Sequence, residues 1–505
     1  MTILTIRLNE NDNVVVARVE LTPGTEVPEE GVVCRENIPA GHKLATSVIE
    51  ARGAIHKYGQ VIGFATCTIK PGEHVHTHNL VVKDFGRKYA FGKDTRPTEL
   101  VPEDMRPSFE GIIRADGKVG TRNYIGVLST VNCSASVCHA IANAFGPEML
   151  SMYPNEDGVV ALGHDSGCCV GSVEGFELLE RTLAGYARHP NFAGVLLVGL
   201  GCEQNQVRSL LENTAIEISS MLQTLIIQET GGTDAAVREG CTRLLEMIQE
   251  ANRVERCIVP ASHLILGLEC GGSDAYSGIT ANPALGFATD LLICNGGTAI
   301  LGETPEIYGA EHLLTRRVIS REVGDELISR IRWWKTYTAQ LEHGLDNNPS
   351  PGNKAGGLST ILEKSLGAVV KGGSTNLMEV LQYAEAPKGS GLVFMDTPGY
   401  DPVSVTGMVA GGANVICFTT GRGSVFGCKP VPSIKLATNT PMFQRMSEDI
   451  DLNCGSILDG QTTIQEMGEQ IMRLILETAS GKKTKSELKG MGTYEFVPWH
   501  VGCVL

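Results

Sequence analysis

Four short phrases of the sequence each place a cysteine beside glycines or small polar residues, and a thiolate is both a nucleophile and a metal ligand. Three of them follow an apolar run that predicts a strand. Because parallel strands end at one edge of a sheet, such cysteines converge there, so we expect one site. An iron–sulfur cluster is one interpretation, and small buried hydrophobic side chains are the other. The cysteines and their phrases are Cys133 (130–133), Cys168 (164–168), Cys202 (199–203) and Cys270 (269–274).

Alternating histidines follow a proline–glycine turn near residue 72: His74, His76 and His78. If this segment is a strand, the three side chains share one face. Neutral imidazoles that converge suit a divalent transition metal, whereas a polar strand face is the alternative. His42 joins them if a neighbouring strand places it there.

A glycine-rich loop, residues 269–283, lies between a predicted strand ending at Leu266 and a predicted helix over 284–292. The free N–H groups of such a turn bind carboxylate or phosphate. Asp274 and Glu269 offer carboxylates to a cation. The other interpretation is a tight turn with no ligand.

Three further segments carry charged side chains after strands or in loops. Glu303 and Glu306 are either a helix cap with its dipole partner or metal and acid–base groups. Lys354 lies in 348–357, where two prolines and three glycines predict an irregular loop; it faces an anionic substrate, acts as a base, or is simply solvated. Arg422 follows an apolar run and binds a carboxylate or pairs with an internal acid.

Composition narrows the class of protein. The chain has 505 residues, a net charge of −15 and 15 cysteines. The negative surface disfavours nucleic acid and anionic membranes, and no apolar run reaches the length of a membrane span. The first residues lack the pattern of a secretory signal, and so many cysteines then indicate reduced thiols in the cytoplasm. No dinucleotide or Walker motif follows a predicted strand, so nucleotide cofactors are not indicated.

The pattern of apolar residues predicts a multidomain protein. Short alternating strands separated by turns indicate a small all-β domain over residues 1–95, and 96–109 is predicted to be a linker. Alternating strands and helices then indicate a middle α/β domain, 110–255, and a C-terminal α/β domain with a parallel sheet, 256–505. Within these, we predict helices over 311–327, 376–384 and 462–479 and buried strands that include 290–293.

Several phrases are similar to those of a known family. The phrases at 41–43, 58–63 and 72–79 resemble the SAF (β-clip) domain that opens altronate dehydratases. Those at 117–123, 199–203, 270–283, 348–357 and 420–423 resemble the body of the altronate/galactarate dehydratase family. The resemblance covers nearly the whole chain, and the phrase at 270–283 is its most specific part.

This resemblance implies a hydro-lyase that removes water from a hexonate or hexarate with ferrous iron, or with Mn²⁺ or another divalent ion. It also implies a β-clip, a middle dimerising domain and a C-terminal Rossmann-like sheet, and hence a homodimer acting on a small sugar acid. The histidine run favours D-altronate, converted to 2-keto-3-deoxy-D-gluconate, because galactarate dehydratases carry other residues there. Galactarate is the second substrate, and sulfolactate, whose sulfo-lyases divide these modules between two chains, is the third. The phrase 165–169 departs from the family, which usually has an aromatic residue before its Gly-Cys.

The residue roles predicted on this basis remain hypotheses. The general base is Lys354 or His164, and Asp274 is also catalytic. The predicted metal ligands are His74, His76, His78, Asp274, Glu303 and Cys270. The predicted substrate-binding residues are Gly271, Gly272, Ser273, Asn282, Asn353 and Arg422. A sugar-acid binding protein and a nicotinamide oxidoreductase are the other classes, the latter lacking the glycine fingerprint.

Overall fold

Three regions of different architecture follow one another along the chain. The computed structural model describes residues 3–83, 86–339 and 344–502. Within these ranges, no helix combines the length and the apolar character needed to cross a membrane.

The N-terminal region is all β, as predicted, because short apolar runs alternate with proline–glycine turns. A four-stranded antiparallel sheet has the order β1-β2-β5-β8, and a second sheet has the order β6-β7-β9. The buried strand β2 lies at the centre of the first sheet. The strands are β1 (Thr5–Ile6), β2 (Val14–Ala17), β3 (Glu26–Val27), β4 (Val32–Val33), β5 (Lys43–Ala45), β6 (Ala54–Lys57), β7 (Gln60–Ala65), β8 (His74–Val75) and β9 (Leu80–Val81).

The middle region contains a four-stranded parallel sheet in the order β13-β12-β14-β15. Strands β10, β11 and β16 form a separate antiparallel sheet, and β10 begins inside the segment predicted to be a linker. The strands are β10 (Ser108–Ile113), β11 (Val119–Gly120), β12 (Tyr124–Ser129), β13 (Gly158–Leu162), β14 (Phe192–Gly199), β15 (Leu222–Ile226) and β16 (Cys257–Pro260). The helices are α1 (Asn132–Asn143), α2 (Pro147–Leu150), α3 (Val173–Ala187), α4 (Val207–Thr214), α5 (Ile227–Thr230) and α6 (Thr233–Ala251).

The C-terminal region contains a seven-stranded parallel sheet in the order β19-β20-β18-β17-β21-β22-β23, so the predicted Rossmann-like α/β architecture is confirmed. Its central strands are buried apolar runs, as parallel strands covered on both faces require. The strands are β17 (Ile265–Cys270), β18 (Thr298–Leu301), β19 (Leu377–Leu381), β20 (Gly391–Met395), β21 (Val415–Thr420), β22 (Ser433–Ala437) and β23 (Leu452–Asn453). The helices are α7 (Ala281–Cys294), α8 (Glu311–Thr315), α9 (Arg321–Tyr337), α10 (Pro351–Ala355), α11 (Ile361–Ala368), α12 (Asp401–Ala410), α13 (Thr440–Arg445), α14 (Ile464–Ala479) and α15 (Lys485–Leu488).

Several predicted elements were wrong. The apolar run 290–293 is the end of helix α7, which is buried and therefore apolar on most faces. Residues 376–384 contain the edge strand β19 and not a helix, because Leu377 and Leu381 are buried four positions apart and imitate a helical period. The helix predicted over 311–327 is divided between α8 and α9.

The segment 348–357, predicted to be irregular, contains the short helix α10. Pro351 occupies the first turn, where its missing N–H costs nothing. Ser350 and Asn353 form a capping box, since each side chain accepts a hydrogen bond from the backbone of the other. Turn residues thus start a helix here and do not exclude one.

Candidate active site

Four histidines of the β-clip region form one cluster. The Nδ1 atom of His42 lies 3.0 Å from Nε2 of His74, and the rings of His74 and His76 stack with centroids 5.4 Å apart. One ring nitrogen from each of these three residues lies within 4.8 Å of the others, a span that one metal ion can bridge. The ring of His78 lies 5.3 Å from that of His74.

The cluster is built by a strand pair and a turn. Strands β5 and β8 pair antiparallel with Leu44 opposite His74, and this brings His42 alongside. Strand β8 ends at Val75, so the three histidines do not share one long strand as predicted. The chain turns instead, and Asn79 holds the turn by donating to the carbonyl of His74 at 2.8 Å and accepting from the N–H of His76.

Burial keeps these imidazoles neutral. Loss of hydration, together with the neighbouring rings, lowers the pKa of His74 to about 3. The same burial lowers the pKa of His76 to about 4 and also lowers the pKa of His42. A neutral imidazole keeps a free lone pair, which is the form that binds a metal ion.

The histidine cluster packs against the C-terminal region. A ring nitrogen of His42 lies 3.4 Å from the carbonyl oxygen of Ala355, the last residue of α10. The hydroxyl of Ser359 lies 3.3 Å from Nδ1 of His76. The site is therefore a junction between the two regions.

A buried ion-pair triad fixes this junction. The ammonium groups of Lys43 and Lys57 lie 2.9 and 2.8 Å from the carboxylate of Glu363, and all three side chains are excluded from solvent. Burial alone would raise the pKa of Glu363, but the two cations outweigh it and lower that pKa to about 2. Lys43 also donates to the carbonyl of Gly357 at 2.8 Å.

A second cluster of ionisable side chains, here called the carboxylate–thiol group, lies at the carboxyl edge of the seven-stranded sheet. The thiol of Cys270 lies 3.4 Å from a carboxylate oxygen of Glu303 and 3.5 Å from one of Glu306. Lys371 pairs with Glu303 at 2.7 Å and Lys364 pairs with Glu306 at 2.5 Å. Adjacent strand ends create the group, because Cys270 ends β17 and Glu303 follows β18.

This group has the properties of a cation site. Carboxylate oxygens of Glu269, Glu303 and Asp401 lie within 4.8 Å of one another. One oxygen of Glu269 and one of Glu303 are buried without a hydrogen-bond partner among the described residues, which a bound cation would satisfy. Burial and the charges of Glu303 and Glu306 raise the pKa of Asp401 to about 7. Glu303 itself sits in the left-handed region, at φ 63°.

A cavity of about 410 Å³ opens onto the carboxylate–thiol group, and its lining includes Cys270, Gly271, Lys364 and Asp401. Gly271 is required sterically, because a Cβ there would lie 2.2 Å from a carboxylate oxygen of Asp401. The cavity is large enough for a small ligand.

Residues 348–359 connect the cavity to the histidines. The amide of Asn348 donates to Glu306 at 2.8 Å and accepts from Lys364 at 2.9 Å. Asn353 donates to the carbonyl of Ser273 at 2.8 Å. Asn353 is part of helix α10, and this helix ends beside His42. One short segment therefore contacts both the histidine cluster and the carboxylate–thiol group.

Asp274 is placed differently from the other predicted metal ligands. Its buried carboxylate accepts hydrogen bonds from the Ser277 and Thr438 hydroxyls, the Asn439 amide and the backbone of Tyr276. Within the described residues, it belongs to neither of the metal-competent groups above. Its contacts hold the glycine-rich loop to the residues that follow β22, and its catalytic role stays a prediction.

Arg422 and Lys354 lie on the exposed side of the junction. The backbone N–H of Arg422 donates to the carbonyl of Gly272 at 2.8 Å, and its exposed side chain passes beside Gly356. Lys354 lies in α10 and is partly exposed. Lys354 and Gly356 flank Ala355, whose carbonyl oxygen contacts His42, so both cations are connected to the histidine cluster through this segment.

Two other predicted residues have their polar atoms occupied. Asn282 donates to the carbonyl of Gly367 and accepts from the hydroxyl of Thr419. His164 lies in the middle region, where one ring nitrogen lies 3.0 Å from the carbonyl of Ser129 and the other accepts from the backbone N–H of Ser166. Burial lowers the pKa of His164 to about 4.

The structure divides the four cysteines that we expected at one site. Cys133, Cys168 and Cys202 follow strands of the middle sheet and are exposed, whereas Cys270 is buried in the C-terminal sheet. All four cysteines follow or end a strand, and this is why their sequence contexts look alike. The sequence pattern does not show that the strands belong to two different sheets.

Sequence reasoning missed Lys371, Asp401 and Glu363. Asp401 has a signal that was available, because it begins a helix in a polar loop after the apolar run of β20. Lys371 follows apolar residues before a pair of glycines. Glu363 shows no signal beyond its position in the first turn of a helix, since its partners are 306 and 320 residues away.

Family comparisons agree with this arrangement of three regions. The altronate/galactarate dehydratase SAF domain matches residues 3–83. The second domain of D-galactarate dehydratase/altronate hydrolase matches residues 111–252, and the C-terminal domain of D-galactarate/altronate dehydratase matches residues 261–504.

Curated relatives match along nearly the whole chain. Galactarate dehydratase (L-threo-forming) of Escherichia coli is 38% identical over 95% of this chain and 93% of its own length. Altronate dehydratases of Bacillus subtilis and Escherichia coli are 34% and 35% identical, each over 95% of this chain and 96% of the relative.

The enzymes with this architecture and these sequences are hydro-lyases, and the chain is an enzyme of that class. It belongs to the D-galactarate/altronate dehydratase family.

Proposed function

We propose that the protein dehydrates a six-carbon sugar acid, with D-altronate as the first substrate and 2-keto-3-deoxy-D-gluconate as the product. The observation that carries the proposal is the cluster of neutral imidazoles at the junction of the β-clip and the C-terminal region, in contact with helix α10, which carries Lys354. The curated relatives with this architecture act on altronate or galactarate by name.

We infer that His42, His74 and His76 hold a divalent ion, with ferrous iron as the first choice. Their three nitrogen donors and their neutral state fit such an ion. When bound, the ion supplies an electrophile that stabilises negative charge on a substrate carboxylate and hydroxyl.

The chain's own residues supply the remaining functions in this proposal. Arg422 binds the substrate carboxylate, since its exposed guanidinium offers paired N–H donors. Lys354 removes the proton at C2, and it suits this role better than His164, whose ring nitrogens are both occupied. Loss of hydroxide from C3 then gives an enol that tautomerises to the 2-keto-3-deoxy acid.

Galactarate is a second candidate because the galactarate dehydratase shares 38% identity, against 34% and 35% for the two altronate dehydratases. Galactarate carries a second carboxylate, so a second cation is needed to bind it. Lys364, the lysine that lines the cavity, is already paired with Glu306, which favours the monocarboxylate.

A panel of hexonates and hexarates with Fe²⁺ or Mn²⁺ under reducing conditions tests the proposal, with formation of a 2-keto-3-deoxy acid as the readout. We expect altronate to be turned over, and His74→Ala to lose that turnover while the protein stays folded. Asn37→Ala, an exposed side chain of the same β region, is the matched control and should retain activity. Preference for galactarate would overturn the substrate, and full activity of His74→Ala would overturn the site.

A further inference from the structure

Three loops at the carboxyl edge of the middle sheet present exposed cysteines, and the second loop has two of them in sequence, Cys168 and Cys169. Cys133 follows β12, Cys168 follows β13, and Cys202 follows β14. Strand β12 pairs in parallel with both of the others, so these loops are immediate neighbours. None of the proposed steps of the dehydration uses them.

Hydrogen bonds hold the three loops in a fixed arrangement. The N–H of Asn132 donates to the carbonyl of Ser166 at 2.9 Å, which joins the first loop to the second. Asn205 joins the third loop to both, because its N–H donates to the carbonyl of Gly167 at 3.1 Å and its side chain donates to that of Thr130 at 2.9 Å. The cysteines are therefore carried by a rigid frame.

The thiol of Cys168 interacts electrostatically with those of Cys133 and Cys202. Desolvation first, and then the nearby thiols of Cys133 and Cys202, raise the pKa of Cys168. Gln228, which follows the fourth strand of the same sheet, places its amide 3.5 Å from the sulfur of Cys202. Exposed free cysteines are uncommon on protein surfaces, because the thiol is reactive, so four at one edge, Cys169 included, need an explanation.

The separation of the three sulfur atoms favours a metal centre larger than one ion. A tetrahedral zinc site, with Zn–S bonds of 2.3 Å, brings its sulfurs to about 3.8 Å apart and takes four ligands. Among the described residues, these three sulfurs do not form a group within the 4.8 Å span of a single ion. Cys133 also lies in the first turn of α1, whose N-terminal end favours negative charge.

We propose that Cys133, Cys168 and Cys202 bind a [4Fe–4S] cluster through three thiolates and leave the fourth iron open to a small oxygen ligand. Two ferrous ions, two ferric ions and four sulfides make the 2+ core, and each thiol releases one proton on binding. Cys270 is not a ligand, since it lies in the other sheet. The site is separate from the histidine cluster and does not depend on its metal.

Anaerobic reconstitution of the full chain with ferrous iron, ferric iron and sulfide tests the site. We expect about four irons and about four sulfides per chain, and an absorbance band at about 400 nm. Each of C133S, C168S and C202S should lose the cluster while circular dichroism shows an unchanged fold. The matched controls C67S and C257S change exposed cysteines elsewhere and should keep it, as should C270S.

Four results would overturn the proposal. One is a single ion bound per chain without sulfide, and another is a disulfide between two of the three thiols in place of cluster binding. The third is a cluster that survives all three serine variants. C169S checks the number of ligands, because loss of the cluster in that variant would contradict attachment through three thiolates.

Discussion

At the residue scale, buried carboxylates differ in whether other protein groups satisfy their oxygens. Among the residues that the structure describes, Glu303 and Glu269 each keep one buried oxygen without a hydrogen-bond partner, near a cavity, which is the state of groups poised for a ligand. Asp274 is also buried, but donors from its own loop and from the residues that follow β22 occupy its oxygens. The role of a polar residue in such a loop therefore depends on its hydrogen-bond partners and not on its residue type alone.

Replacing Asp274 with Ala should lower the free energy of unfolding by about 1–3 kcal/mol, because several buried donors lose their acceptor. Chemical denaturation measures this loss. Asp116→Ala removes an exposed carboxylate and should change stability by less than about 0.5 kcal/mol. Unchanged stability with abolished turnover would instead support the predicted catalytic role of Asp274.

Glu363→Gln should destabilise the protein by about 3–5 kcal/mol, because it leaves the buried ammonium groups of Lys43 and Lys57 without a counter-charge. Urea unfolding of the two proteins gives the difference. The control is Glu212→Gln, which breaks an exposed pair with Arg208 and should cost less than about 1 kcal/mol. Equal costs would show that the triad does not hold the junction.

At the scale of elements, the short helix α10 borders the histidine site on the side of the C-terminal region. Its capping box fixes where the helix begins, and its last residue, Ala355, contacts His42. Lys354 lies one residue earlier. Five residues of helix are marginal alone, so their position depends on the cap and on packing.

Ser350→Ala should reduce activity by disordering α10 around Lys354, with a stability loss of about 1 kcal/mol. Thr463→Ala removes the corresponding cap of α14, far along the chain from the site, and should cost a similar stability without changing kcat/KM. Kinetics and unfolding measured on both variants separate the two effects. Equal kcat/KM in the two variants would contradict a positioning role for α10.

At the scale of the whole molecule, buried ion pairs join regions that the chain connects only distantly. Arg122 of the middle region pairs with Glu487 of the C-terminal region at 2.6 Å, as the lysine–Glu363 triad joins the β-clip to α11. Stability therefore depends on these carboxylates remaining ionised.

Acid should weaken the junction of the β-clip in a defined range of pH. The folded state lowers the pKa of Glu363 from 4.5 to about 2, so its contribution is complete above about 4.5 and is lost as the pH falls towards about 2. Unfolding free energies of the native protein measured across this range should fall more steeply than those of Glu363→Gln. Parallel curves would contradict the assignment.

The homodimer that the family resemblance implies also belongs to this scale and stays a prediction. Light scattering coupled to gel filtration should give twice the 54.0 kDa of one chain. A mass equal to one chain would contradict the predicted homodimer.

The sequence by itself determined the fold class, because strand and helix periods and turn residues are local signals. It also indicated the histidine run, the glycine-rich loop and the carboxylates after strands, since residues at strand ends are readable from apolar runs. The tertiary structure alone decided which of these meet. It separated Cys270 from the other three cysteines, satisfied Asp274 internally, and brought Lys43 to Glu363 across 320 residues, since long-range packing and desolvation leave no periodic trace in the sequence.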